Sequence, residues 1–235
     1  MKMRLDKFLS EMGVGSRSEV KKWITKGQVQ VNDEVIKKPE FKMDPKSDQI
    51  LFQGNQVSYA EYEYYMLHKP AGVISATEDS KEMTVIDLIS EKLRKDLFPV
   101  GRLDKDTEGL LLITNDGELA HRLLSPKKHV DKTYFAVIDG KVTEDDIQIF
   151  KQGVDIGDEK LTMPADLVIL KSDEISEIEL TIREGRFHQV KRMFHAVGKE
   201  VTYLKRLRMG TLQLDDTLEP GQYRALTKKE IEKLC

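Results

Sequence analysis

Leu5, Phe8, Leu9 and Met12 recur at i, i+3, i+4 and i+7, the spacing that lines one face of an α-helix. Gly13 follows, where a residue free to turn left-handed can end the helix. Ser16 stands three residues ahead of Glu19, a capping-box spacing, and predicts a second helix that buries Val20, Trp23 and Ile24. Gly27 stops it. Val29 and Val31 alternate with Gln28 and Gln30 as a strand, Asn32-Asp33 supplies a turn, and Val35-Ile36 begins the return. The stretch from Gln53 to Glu63 is charged, contains Gly and Ser, and reads as a linker. Beyond it, Tyr64 to Leu67 predicts a short strand halted by the turn signal His68-Lys69-Pro70-Ala71-Gly72. Leu110 to Thr114 predicts a buried strand that Asn115-Asp116-Gly117 turns away. A helix follows, with Leu119, His121, Leu123 and Leu124. Strands and helices then alternate irregularly, which makes the second part α/β or α+β. The chain has no internal repeat.

Composition narrows the class. The chain has 235 residues, 39% hydrophobic and 34% charged, which excludes collagen-like, mucin-like and wholly disordered chains. Apolar runs such as Leu110 to Ile113 are far short of the ~20 residues that span a bilayer. The charged start, Met1 to Lys7, lacks the apolar stretch of a signal peptide. A single cysteine, Cys235, excludes an intramolecular disulfide framework and a thiolate zinc cluster. The expectation is a soluble, cytoplasmic protein. The net charge of −3 conceals an asymmetry: residues 1–46 hold 11 Lys/Arg against 7 Asp/Glu, and residues 181–208 hold 8 against 2. The segment 47–180 is acidic, with 15 against 27. Two basic islands on an acidic body suit a polyanion held by local patches, since charge acts over about 10 Å at physiological salt.

The stretch Gly101 to Gly117 concentrates the chemistry, with polar loop residues leading into a buried strand. Three readings compete. Asp104, Asp106, Glu108 and Gly109 match the first, third, fifth and sixth positions of a calcium loop, but Asn115 stands where a bidentate Glu belongs. A carboxylate pair for glycoside hydrolysis is a second reading, and a neutral sugar leaves the basic islands without purpose. The third is a single carboxylate, Asp104, acting on a nucleotide. His188 and His195 lie two helical turns apart but lack a third ligand for a metal.

Two resemblances decide among these. Arg4-Leu5-Asp6-Lys7-Phe8-Leu9, Ser16-Arg17-Ser18-Glu19-Val20 and Ile24 to Asp33 resemble the small α-L RNA-binding domain named after a small-subunit ribosomal protein. Gly101-Arg102-Leu103-Asp104, Thr107, Gly109 to Leu112 and Thr114 to Gly117 resemble the central motif of the bacterial ribosomal RNA pseudouridine synthases. In that family's order, His68 to Gly72 comes before it. Lys132-Thr133-Tyr134, Glu184 to Met193, and a C-terminal stretch with Arg208, Gly210, Gly221 and Arg224-Ala225-Leu226 come after.

The resemblance implies an α+β fold. A small N-terminal α-L RNA-binding domain plus linker (1–58) precedes a catalytic domain (59–235) with a mixed, mainly antiparallel sheet flanked by helices. It implies Asp104 as the carboxylate acting at the ribose, Tyr134 as a ring stacked on the target base, and Lys191 as the cation paired with Asp104. Relatives outside this subgroup more often carry arginine at the position of Lys191, so Arg192 is a second candidate. RNA-contacting residues implied are Arg17, Lys21, Lys22, Arg102, Arg186, His188, Gln189 and Arg192, with Arg102 able to fill the space left by an extruded nucleotide. Isomerisation of uridine needs no redox change, hence no cofactor and no metal. The partner implied is ribosomal RNA, free or in an assembling subunit, bound by a monomer with no membrane attachment. The short C-terminus and Arg186 to Arg192 most resemble enzymes acting on uridine 516 of 16S RNA. A 23S RNA enzyme and an inactive ribosome-assembly factor are the alternatives.

Overall fold

A computed structural model describes residues 2–125 and 128–234. Cys235, on which the cysteine argument rests, lies outside the described residues. The chain forms two compact units: Met1–Glu63 with Ser90–Leu97, and Tyr64–Ile89 with Phe98–Cys235. Among the described residues, no helix is long and apolar enough to cross a membrane.

The first unit contains β1 (Met3–Arg4), α1 (Leu5–Glu11), α2 (Arg17–Thr25), β2 (Val29–Val31), β3 (Glu34–Val35), β4 (Lys42–Met43), β5 (Ile50–Phe52) and β6 (Asn55–Gln56). The predicted helical faces are its core: Leu5, Phe8, Leu9, Val20, Ile24 and Val29 are buried, each side chain stabilising by about 1.5–3 kcal/mol. The capping box at α2 forms, with the Ser16 backbone N–H donating to Glu19 Oε2 at 2.9 Å and the Glu19 N–H donating to Ser16 Oγ at 3.4 Å. Asn32 and Asp33 both take positive φ, 50° and 68°, the geometry of a two-residue hairpin turn. This turn joins β2 to β3, and the four-stranded sheet runs β3-β2-β5-β6.

The expected linker is instead part of this unit. Asn55–Gln56 pairs with β5, and Val57 and Tyr59 pack on the core. Ser90–Leu97, expected in the second domain, joins the first because Glu63 accepts from the Leu93 and Arg94 backbone N–H groups and the Lys95 N–H donates to the Glu11 carbonyl. The Arg94 side chain is buried and donates to Asp96, Glu11 and the Ala60 carbonyl. Polar anchors dispersed over eighty residues leave no local hydrophobic period, so the pattern could not show them.

The second unit contains β7 (Tyr64–Lys69), β8 (Phe98–Pro99), β9 (Glu108–Thr114), α3 (Gly117–Leu124), β10 (Lys132–Asp139), α4 (Glu144–Gln152), β11 (Asp166–Lys171), β12 (Ile175–Ile182), α5 (Gln189–Ala196), β13 (Glu200–Met209), β14 (Leu212–Gln213), β15 (Tyr223–Ala225) and α6 (Lys228–Leu234). Its sheet runs β11-β12-β10-β13-β9-β7-β15, with β14 beside β13 and β8 beside β9. Among the described residues, the strand pairs of this sheet are antiparallel except β13 with β9, so the sheet is mixed and mainly antiparallel, and the fold is α+β.

The parallel pair positions the loop that carries Asp104. Lys205 lies opposite Glu108 and Arg206 opposite Gly109, so the segments leading into both strands emerge at the same end of the sheet. Gly109 has φ +103°, and a Cβ there would lie 2.3 Å from the Arg206 carbonyl oxygen. Only glycine permits this approach. On one face, Met66, Leu110 and Leu112 pack with Leu119 and Leu123 of α3. Asp116 caps α3 by accepting from the Leu119 N–H at 2.9 Å.

Candidate active site

Asp104 sits on the loop that enters β9, and that loop is fastened at several points. Ser75 Oγ donates to the Leu103 carbonyl at 2.8 Å and accepts from the Leu103 N–H at 3.0 Å. The Gly72 N–H donates to the Lys105 carbonyl, and the Thr107 N–H donates to the Asp104 carbonyl. Beneath, the fully buried Lys69 ammonium donates to the carbonyls of Pro70 (2.9 Å), Lys105 (3.2 Å) and Thr107 (2.9 Å). Burial pulls Lys69 down to about 8, while nearby Asp106, Asp104 and Glu108 oppose that fall. The His68-Lys69-Pro70 stretch therefore does more than turn the chain: its lysine ties down the backbone that carries Asp104. Sequence reading missed Lys69 and Ser75, whose partners on the Asp104 loop are backbone carbonyls and an N–H group 28 to 38 residues away.

Asp104 faces a cleft of about 440 Å³ whose lining includes Arg102, Tyr134, His188 and Lys191. Three segments supply these residues. Tyr134 comes from β10, where it lies opposite Arg206. Lys191 comes from the first turn of α5, and His188 from the residue that caps it. The His188 Nε2 is 3.5 Å from Asp104 Oδ1, and the Lys191 Nζ is 3.8 Å from Asp104 Oδ2. The exposed Arg102 also lines a second, open cleft of about 1260 Å³, shared with Asp104 and His188.

Lys191 has a second carboxylate, which it holds more closely. Its Nζ is 2.7 Å from both oxygens of Asp106, and this bond keeps the Asp106 carboxyl below the usual range. Lys191 thus bridges two carboxylates two residues apart on one loop. Arg192 turns away, donating to the Ile156 carbonyl and to Asp158. The cation beside Asp104 is Lys191.

Other residues singled out from sequence are occupied within the protein. Arg186 donates to Glu184 (3.0 Å), to the carbonyls of Lys160 and Leu161 (both 2.7 Å) and to Asp158 (3.3 Å). Gln189 is buried, donating to Glu184 and accepting from the Arg186 N–H. Both brace the turn that displays His188. Arg206, counted in the second basic island, is 2% exposed and donates to the Leu110 carbonyl, so it belongs to the sheet interior. The calcium reading fails on geometry: Glu108 lies in β9 and accepts from Tyr203. Among the described residues no group of three or more His, Cys, Asp or Glu is placed to hold a metal ion. In the first unit, Arg17, Lys21 and Lys22 are exposed on α2.

An RNA pseudouridylate synthase family model matches residues 63–196, and an S4 domain model matches residues 3–50. The chain is 50% identical over 234 residues to an uncharacterized RNA pseudouridine synthase of Bacillus subtilis, covering 99% of this chain and 98% of that one. It is 41% identical to the ribosomal small subunit pseudouridine synthase A of Escherichia coli, covering 97% and 98%. The corresponding Yersinia pestis protein is 43% identical, covering 97% of each. A crystal structure of a pseudouridylate synthase, 39% identical, aligns over 99% of this chain and 100% of its own with a TM-score of 0.70. With a family model matching more than half of its length and full-length relatives of one kind, this chain is an isomerase of the RNA pseudouridine synthase family, with an S4 domain in its N-terminal part.

Proposed function

We propose that the protein converts one uridine of 16S ribosomal RNA, uridine 516, to pseudouridine, with Asp104 as the reacting carboxylate. The observation that carries this reading is Asp104 itself, held on a fastened loop beside Lys191 and His188, in one cleft with Tyr134. The reaction breaks the N-glycosidic bond, rotates the retained uracil and joins its C5 to C1′, with C5 giving up its proton and N1 taking one up. The Asp104 carboxylate, with the Lys191 ammonium 3.8 Å away, is placed to attack C1′ or to assist proton removal at the sugar. The Tyr134 ring offers a stacking surface for an unpaired base. Arg102, two residues from Asp104 and exposed, fills the gap left when the nucleotide swings out. The S4 unit docks RNA through Arg17, Lys21 and Lys22. The protein works as a monomer in the cytoplasm, on free RNA or an assembling subunit.

The small-subunit assignment is supported by full-length relatives named for that subunit. It is tested by incubating the protein with unmodified 16S and 23S RNA and mapping pseudouridine by chemical labelling and primer extension. Product at uridine 516 is expected. Product confined to 23S RNA overturns the target, and product formation by Asp104→Asn at the wild-type rate overturns the role of Asp104.

A further inference from the structure

The rim of the reaction cleft carries an aromatic ring that the chemistry above leaves unused. Phe187 is 73% exposed, more than any other large hydrophobic side chain among those described. The backbone around it is braced, not loose. Arg186 is held by four acceptors, the Gln189 side chain ties back to Glu184 and to the Arg186 N–H, and His188 takes a left-handed φ of 47° before α5. Such a turn holds the ring out in water, where a bare apolar surface is unfavourable.

One face of the ring is already used. The His188 imidazole stacks on it with centroids 3.8 Å apart and planes 18° from parallel. Through its ring edge, His188 Nε2 approaches Asp104 to 3.5 Å. The stacked pair Phe187–His188 therefore stands next to the reacting carboxylate. Phe187 and His188 line the open cleft of about 1260 Å³ with Ile74, Ala76 and Leu124, and Arg102 stands in the same cleft. Apolar walls, a free aromatic face and an exposed guanidinium suit a flat heterocycle bearing a phosphate.

We propose that Phe187, backed by His188, is a stacking subsite for the unpaired base of a nucleotide adjacent to the target uridine. This rests on the reading of Asp104 as the reaction centre. A neighbour stacked there anchors the strand while the target nucleotide occupies the inner cleft. Because every base has a π-face, such a site tolerates sequence and rewards an unpaired nucleotide.

The test uses the full-length protein and an RNA fragment spanning uridine 516, with 2-aminopurine placed in turn at the flanking positions. Wild type is expected to quench the fluorophore at one flanking position on binding. Phe187→Ala should abolish that quenching and Phe187→Trp should restore it; both variants should keep the fold at this exposed position, which circular dichroism checks. In turnover, Phe187→Ala should raise KM about tenfold, the scale of one base–aromatic stack. An abasic flanking nucleotide should raise the wild-type KM by a similar factor and add nothing to Phe187→Ala. Quenching that survives in Phe187→Ala, penalties that multiply, or rescue by Phe187→Leu as complete as by Phe187→Trp would overturn the subsite. Quenching needs no turnover, so it separates the two ideas. Phe187-dependent quenching without any pseudouridine upholds the subsite and rejects the proposed function, whereas pseudouridine formation without Phe187-dependent quenching does the reverse.

Discussion

Charge counted along the chain says little until each side chain has an address. The second basic island looks like a phosphate-binding surface in sequence, yet Arg183 meets Asp131 and Asp166, Lys191 meets Asp106, Arg192 meets Asp158, and Lys199 meets Asp146. These acids come from the supposedly acidic body, from positions up to 85 residues away. Nothing local in the sequence pairs them. Asp104 and Tyr134, by contrast, stand out as candidates because motif residues surround them, whereas the sequence does not separate Lys191 from Arg192. Their geometry separates them experimentally. Lys191→Met removes the cation 3.8 Å from Asp104 and should lower kcat on the order of a hundredfold, as for loss of one preorganised charge. Arg192→Met breaks the bond to Asp158 and should show its main effect in thermal stability, read as a lower Tm. Asp104→Asn keeps side-chain size, so RNA affinity should persist while turnover falls by at least about a thousandfold; single-turnover kinetics and filter binding measure the two. Equal kinetic losses in Lys191→Met and Arg192→Met would mean that Lys191 has no special relation to Asp104.

Elements that rest on local period were readable: α1 and α2 from their apolar stripe and capping box, β9 from the run Leu110 to Thr114. Their lateral order was not, because strand pairing joins residues far apart in sequence. The parallel pairing of β9 with β13 leaves its trace only in Gly109, whose meaning depends on the Arg206 backbone 97 positions later. Gly109→Ala should therefore destabilise the second unit by upwards of about 3 kcal/mol, since backbone, not a movable side chain, blocks the new methyl; urea denaturation of the purified variant measures it. The β7 end makes a second claim. Lys69 is held down to about 8 by burial, against 10.5 in an unfolded chain. The unfolded state thus keeps this proton more tightly, and burying the ammonium costs stability below pH 8, a cost relieved as pH rises toward 10.5. Function runs the other way, because deprotonation removes one donor from the loop carbonyls of Lys105 and Thr107. The expected result is an alkaline fall in kcat near pH 8 that is absent from Lys69→Met, whose kcat is already low while its RNA affinity is kept. A wild-type profile flat to pH 9.5 would show that the loop does not need the charged form.

At the scale of the whole molecule, the domain border is where sequence and structure part company most clearly. A charged stretch with Gly and Ser reads as a tether, and the resemblance sets the domain border after residue 58. In the structure Tyr59 packs near Phe8 with ring centroids 6.0 Å apart, Glu63 holds Leu93 and Arg94, and Arg94 reaches Glu11. The first unit is therefore built from two separated stretches of chain, and removing residues 1–58 strips Ser90–Leu97 of the groups it packs with. The second unit keeps its own sheet and the core around Leu110, Leu112 and Leu119, so it should still fold. What should change is the stranded segment. Limited proteolysis of the 59–235 fragment is expected to cut within 90–97, where the full chain resists, with the fragments identified by mass spectrometry. RNA binding by the fragment should also weaken, and its dependence on salt should become shallower, because each phosphate no longer neutralised removes about 0.7–0.9 from the slope of log affinity against log salt. The two readouts are independent. An unchanged slope with cleavage at 90–97 would mean that α2 of the S4 unit faces solvent and not RNA, whereas a reduced slope with an intact segment would mean that Ser90–Leu97 holds its shape without the first unit.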